Sequence, residues 1–208
     1  QPRNLDQAVN IFKKLLPQVP PREQLLHEGE KLKRYRKFTE PIIHVEDLRF
    51  GYTPNVEVLH GINLDIYKGQ FVSIVGHNGS GKTTIVKHFN GLHQPLSGRV
   101  LIKGQDTKQT TVAELSKSVG YCFQNPDHQI FSSIVADELA YGPRNLSWSK
   151  DDINRTVHET ARLLGIENLL DANPYNLSKG QRQQIAVAAI LCMKPDILIV
   201  DEPTTGQD

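Results

Sequence analysis

The sequence has little that would tie it to a membrane interior, to nucleic acid or to an oxidising compartment. None of its apolar runs approaches the roughly 20 residues that a membrane-spanning helix needs. The opening "QPRNLDQAVN" has neither the basic region nor the apolar region of a secretory signal. An excess of one charge is also missing: 24 Lys and Arg face 23 Asp and Glu, a net charge of +1. That balance gives no broad basic field and speaks against nucleic acid as a partner. The two cysteines, Cys122 and Cys192, sit inside apolar stretches, where a thiol packs as a small buried hydrophobe, and nothing points to disulfides. The chain reads as soluble and cytosolic. It starts without Met and stops in the polar stretch "DEPTTGQD", so it is expected to be a piece of a longer polypeptide. What is present, 38% hydrophobic and 23% charged residues over a length of 208, suits one large domain with a substantial core.

Residues 1–40 differ from the rest. Leu5, Val9, Phe12 and Leu16 recur at helical spacing until Pro17, Pro20 and Pro21 break the pattern. The run "KLKRYRK" at 31–37 is either a solvated segment or part of a connector from a preceding domain, and the segment is read here as a linker. From residue 41 the signals become regular. "IIHVEDLRF" and "INLDIY" alternate in the manner of half-buried antiparallel strands, and "FVSIV" at 71–75 is predicted to be a central buried strand. A helix is predicted over "KTTIVKHFNGL", stopping at Gly91, then strands over "LSGRVLIKG" and "SVGYCF". Residues of about 127–176 read as a helical lobe: Ile153, Val157, Ala161 and Leu164 recur at helix spacing, capped by Ser149 or Asp151. An Ala-rich helix, "QIAVAAILCM", stopped at Lys194-Pro195, and a buried strand, "ILIVD", complete an α/β alternation.

The chemistry is concentrated at strand ends. Gly76, His77, Asn78, Gly79, Ser80, Gly81, Lys82 and Thr83 fit G-x-x-x-x-G-K-T, with an apolar run before and a helical pattern after. Glycines let consecutive N–H groups face phosphate oxygens, the helix presents its positive end, Lys82 supplies a cation and Thr83 a hydroxyl for Mg²⁺. Asp201, at the end of a buried strand, suits the same magnesium shell, and Glu202 beside it suits orienting or deprotonating a water. Gln124 reaches the metal or the water through its amide oxygen, or is an ordinary surface glutamine. His77 reads as a solvated filler, and His88 and His128 have no partner at metal-ligand spacing. Finally, Ser178 and Gln181 bracket Lys179 and Gly180 in a capping-box pattern. The start of that helix is either a second anion site or a helix cap and nothing more.

Taken in order, "GHNGSGKTT" (ending in Thr84), Gln124 in "FQNPDHQIF", "LSKGQRQQ", "ILIVDEP" and "TTGQD" resemble the nucleotide-binding subunits of ATP-binding-cassette transporters, from about residue 42 to the end. The resemblance implies an α/β fold: a phosphate-loop ATPase core with a mixed central sheet, an antiparallel β subdomain and a helical lobe. It implies ATP and Mg²⁺ as cofactors and a head-to-tail dimer with a second cassette. Ser178, Lys179, Gly180 and Gln181 would then close on ATP held by the partner. Tyr52 in "FGYTP" would stack on adenine, Gln124 would link the metal site to the helical lobe, and Asp208 would belong to a loop crossing the dimer interface. Lys179 stands where the family usually has glycine, leaving Ser178 and Gly180 intact.

"FQNPDHQIFSSIVADELAYGPRNL" is similar, more narrowly, to the ATPases of energy-coupling-factor importers. That likeness implies ATP hydrolysis powering uptake of a vitamin or transition-metal ion, at the cytoplasmic face of a membrane, through a transmembrane coupling subunit and a substrate-binding membrane protein. The family's histidine after a further strand does not appear before Asp208. A module that closes on ATP without turnover is therefore an alternative, as is a non-transport cassette.

Overall fold

The computed structural model describes residues 40–53 and 56–201, so the expectations placed on segment 1–39, on Glu202 and on Asp208 lie outside the described residues. Among the described residues the order opens with β1 (Ile43–Phe50) and β2 (Leu59–Ile66), followed by α1 (Lys82–Phe89), β3 (Ser97–Ile102), β4 (Gln105–Asp106) and a short α2 (Val112–Leu115). Then come β5 (Val119–Cys122), α3 (Val135–Asn145), α4 (Lys150–Leu164), α5 (Lys179–Cys192) and β6 (Ile197–Val200). The described residues form two sheets: an antiparallel one in the order β2-β1-β3-β4, and a parallel pair, β5-β6.

The alternation in β1 carries one residue too many, and the fold absorbs it. Ile43 and Val45 are buried at odd positions, Leu48 and Phe50 at even ones. The register shifts between Val45 and Leu48 against β2 and between Glu46 and Arg49 against β3, and Asp47 adopts a positive φ of 41°. This bulge returns Leu48 and Phe50 to the core face; without it they would point outward. Gly98 on β3 is the counterpart, because a Cβ there would lie 2.2 Å from the Asp47 carbonyl oxygen.

Against this sheet α1 lays Thr84, Ile85, His88 and Phe89, a one-sided buried stripe, and the core closes with Val100, Ile102, Leu115, Val119 and Ile197. A second core joins β5 to the three long helices, with Cys122, Val135, Leu139, Val157, Ala161, Leu164, Ile185 and Cys192 at its centre. Local signals set the helix ends here. Ser149, rather than Asp151, caps α4 by accepting from the Asp152 N–H, and Gly165 ends it at φ 70°.

One prediction is not met among the described residues. Segment 71–75 joins neither sheet, and its apolar side chains are exposed, Phe71 at 75% and Val75 at 88%. An apolar run becomes a buried strand only where neighbours supply both ladder bonds and cover, and among the described residues neither sheet reaches it.

His88 is fully buried, with its Nδ1–H donating to the Thr84 carbonyl at 2.8 Å and its Nε2 unpartnered among the described residues. Burial lowers its pKa below the ordinary 6.5, opposed by the Thr84 bond and aided by nearby His93. The folded state therefore favours the neutral ring, and the stabilisation is full above the unfolded value and is lost as pH falls from it through the lowered folded one. Thermal melts between pH about 7.5 and about 5.5, spanning the ordinary histidine value, are expected to show a declining melting temperature with a shallower slope in His88→Gln. An equal slope in that variant would remove His88 as the cause.

Candidate functional site

Glycine geometry builds the loop ahead of α1. Gly79 (φ 79°) and Gly81 (φ 89°) hold left-handed conformations, and Gly81 stands at the N-cap of α1 without any side-chain cap bond. The first-turn N–H groups of α1 are thus left for an anion. Lys82 folds back across the loop and donates to the carbonyls of Gly76 and His77, each at 3.0 Å. Its ammonium is therefore held over the ring of backbone where phosphate oxygens would sit. The His77 side chain is exposed and Asn78, Gly79 and Ser80 line the open side of the same loop.

Two sequence-distant groups meet beside it. The Thr83 hydroxyl donates to Asp201 Oδ1 at 3.2 Å, and the Tyr121 hydroxyl donates to Asp201 Oδ2 at 2.8 Å. Asp201 is placed by the parallel register Cys122↔Val200 and by its own N–H donating to the Cys122 carbonyl at 3.1 Å. Adjacent oxygen ligands in an octahedral Mg²⁺ shell of radius about 2.1 Å lie about 3 Å apart, so the Thr83–Asp201 pair fits that ion. Tyr121 was not anticipated: a tyrosine within "SVGYCF" has no local mark of its partner. Burial first, and then the bond to Asp201, raise its pKa and keep it a hydrogen-bond donor. Gln124 is exposed two residues past the end of β5, leaving the parallel pair on the same edge as Asp201.

Tyr52 stands at the rim, 60% exposed, its ring edge-on to Phe50 at 5.1 Å and to His93 at 5.4 Å. Its hydroxyl shares hydrogen bonds with the Thr84 hydroxyl at 3.1 Å and His93 Nε2 at 3.4 Å. An aromatic face is thus braced next to the loop. If Tyr52 stacks on a nucleotide base, Tyr52→Ala is expected to weaken ATP binding about fivefold, roughly 1 kcal/mol, with Tyr52→Phe within about twofold of wild type. Isothermal titration decides it; a loss of thermal stability at unchanged affinity would make Tyr52 a packing residue.

The second polar stretch is carried by α5, on the second core. Ser178 caps the helix by accepting from the Gln181 N–H at 3.3 Å, and Gln181 Oε1 accepts from the Ser178 N–H at 3.0 Å. The capping box is real, which settles the cap but does not exhaust the stretch. Ser178, Lys179 and Gly180 are exposed, the first turn holds no acidic residue, and a Cβ on Gly180 would meet nothing within 4 Å among the described residues.

Residues 59–205 match the family profile described as ABC transporter. A putative ABC transporter ATP-binding protein of Caldanaerobacter subterraneus subsp. tengcongensis is 43% identical over 210 residues, covering 100% of this chain and 36% of that protein. The energy-coupling factor transporter ATP-binding protein EcfA of Methanocaldococcus jannaschii is 43% identical over 169 residues, 80% of this chain and 61% of that one. Among solved structures, cbiO1 of Clostridium perfringens, described as part of the ABC transporter complex cbiONQ, matches with a TM-score of 0.74 at 37% identity, over 82% of this chain and 68% of that chain. The chain thus spans 36% and 61% of the lengths of these two relatives.

Proposed function

Because the chain belongs to the ABC transporter family, with the α/β phosphate-loop ATPase fold of its solved relatives, we propose that it binds and hydrolyses ATP to power an importer of the energy-coupling-factor kind. The observation that carries the site is the Thr83–Asp201 contact, which joins the phosphate loop to a strand end 118 residues away.

In this reading the loop N–H groups and Lys82 hold the β- and γ-phosphates, and Tyr52 covers the base. Thr83 and Asp201, with Gln124 facing them, would hold Mg²⁺, which would supply neutralisation of phosphate charge. Tyr121 fixes the second Asp201 oxygen, so the carboxylate meets the ion in one orientation. Glu202 orients and deprotonates the attacking water. Ser178 and Gly180 close on the γ-phosphate held by a second, identical or homologous cassette, with Lys179 and Gln181 beside them and Asp208 at the shared interface.

The relatives supply the wider setting. Their names place EcfA in an energy-coupling factor transporter and cbiO1 in a multi-component complex. Among the described residues no helix is long and apolar enough to cross a membrane. By analogy with these relatives, the proposed place is peripheral, on the cytoplasmic face, docked on a transmembrane coupling subunit whose companion membrane protein selects the vitamin or metal ion.

The test is nucleotide-driven pairing of the full-length protein carrying Glu202→Gln, which blocks hydrolysis. Sedimentation is expected to show association of cassettes with ATP and Mg²⁺ and none with ADP. Identical profiles with the two nucleotides would overturn the reading.

A further inference from the structure

The geometry points to Gln129 as a positioning residue that, with the Asp127–Arg182 ion pair beside it, fixes the turn bearing Gln124 to the helix bearing Ser178. The inference rests on the functional reading above and adds how the two sites of one chain are joined.

Gln129 is half-buried and spends both ends of its amide on main chain. Its Oε1 accepts from the Phe123 N–H at 3.2 Å, and its Nε2 donates to the Ala186 carbonyl, inside α5, at 2.8 Å. Because both targets are backbone, the bridge reads the spacing between the end of β5 and α5 rather than the identity of any side chain. Next to it Arg182 Nε donates to Asp127 at 2.7 Å, while its Nη1 donates to the Leu177 carbonyl at 2.5 Å. The turn itself is braced: the Asn125 side chain accepts from the Asp127 N–H, and Pro126 opens a single 3₁₀ turn, Pro126–His128.

The anchored backbone groups, Phe123 and Leu177, each directly precede a residue of the proposed machinery, Gln124 and Ser178. Displacing the Gln124 turn therefore either carries the start of α5 with it or breaks the Gln129 bridge and a charge-assisted pair whose Arg182 side chain is only 19% exposed. Movement of the glutamine toward a metal-bound phosphate in this subunit's site becomes movement of the serine that addresses the partner's site. The physical warrant for coupling is an element that both sites bias, and this bridged turn and helix are such an element.

Hydrogen exchange read by mass spectrometry tests it, with the full-length protein in a Gly180→Asp background that keeps cassettes apart, and with Mg²⁺ plus a non-hydrolysable ATP analogue as the probe. Nucleotide is expected to slow exchange at residues 76–84, 123–130 and 177–183 together. Gln129→Glu keeps the acceptor for Phe123 but loses the donor to Ala186, and Gln129→Leu loses both. In each, residues 76–84 are expected to respond as before, with affinity within about twofold, while the slowing at 177–183 falls at least about threefold. The milder Asp127→Asn, at an exposed position, is expected to give a partial loss even where the Gln129 variants fold poorly. A full response at 177–183 in folded Gln129 and Asp127 variants overturns the inference, as does a parent in which 76–84 responds and 177–183 does not. A parent in which 76–84 also fails to respond overturns the ATP site, and the inference with it.

Discussion

Gly180→Asp is expected to abolish ATP-driven pairing of the Glu202→Gln protein while leaving each chain folded and able to bind ATP at its own loop. The structure makes this substitution unusually clean. A Cβ at Gly180 meets nothing within 4 Å among the described residues, so the substitution has open space there. A carboxylate in the first turn of α5, which has no acidic residue of its own, also favours the helix by about 0.3–1 kcal/mol. In the proposed reading a loss of pairing arises where the new charge would confront a γ-phosphate bridging two subunits and stabilising only the closed state. Sedimentation with and without ATP reads the outcome. Persistent pairing in this variant would reduce the exposed stretch to the helix cap that its Ser178–Gln181 bonds already make it.

Lys82→Ala is expected to weaken ATP binding by at least about tenfold, roughly 1.4 kcal/mol, without lowering the melting temperature of the nucleotide-free protein. In the folded chain the ammonium is bonded to the Gly76 and His77 carbonyls at the surface, contacts that water replaces at little cost. Facing a polyphosphate in a partly desolvated loop, the same group has no such substitute. Titration with a fluorescent ATP analogue measures it, and unchanged affinity would take the phosphate site away from this loop.

The features legible in the sequence are those written at short spacing. The three-residue interval from Ser178 to Gln181 announced the capping box that the structure shows, and Ser149 likewise capped α4. Gly79 and Gly81, at fixed offsets before Lys82, announced a loop whose φ values require them. Alternation found β1 and β2 but not the bulge at Asp47, because an inserted residue looks locally like a broken pattern and only the pairing with β2 and β3 resolves it. The buried strand expected at 71–75 failed for a related reason: apolar character specifies a wish for cover, and the cover belongs to other parts of the chain. Tyr121 on Asp201, and Gln129 between Phe123 and Ala186, are contacts between distant segments, and no periodicity within either segment encodes them.

Cys122 and Cys192 lie fully buried in the same core, and burial pushes both thiols up to about 11. The thiolate is the reactive species, so at neutral pH neither sulfur is chemically available while β5, α3, α4 and α5 stay packed. Alkylation must wait for the helices to separate, and its rate counts those separations rather than encounters at the surface. The protein thus carries two internal chronometers of its own opening, one on the strand that leads to Gln124 and one at the far end of the helix that begins at Ser178.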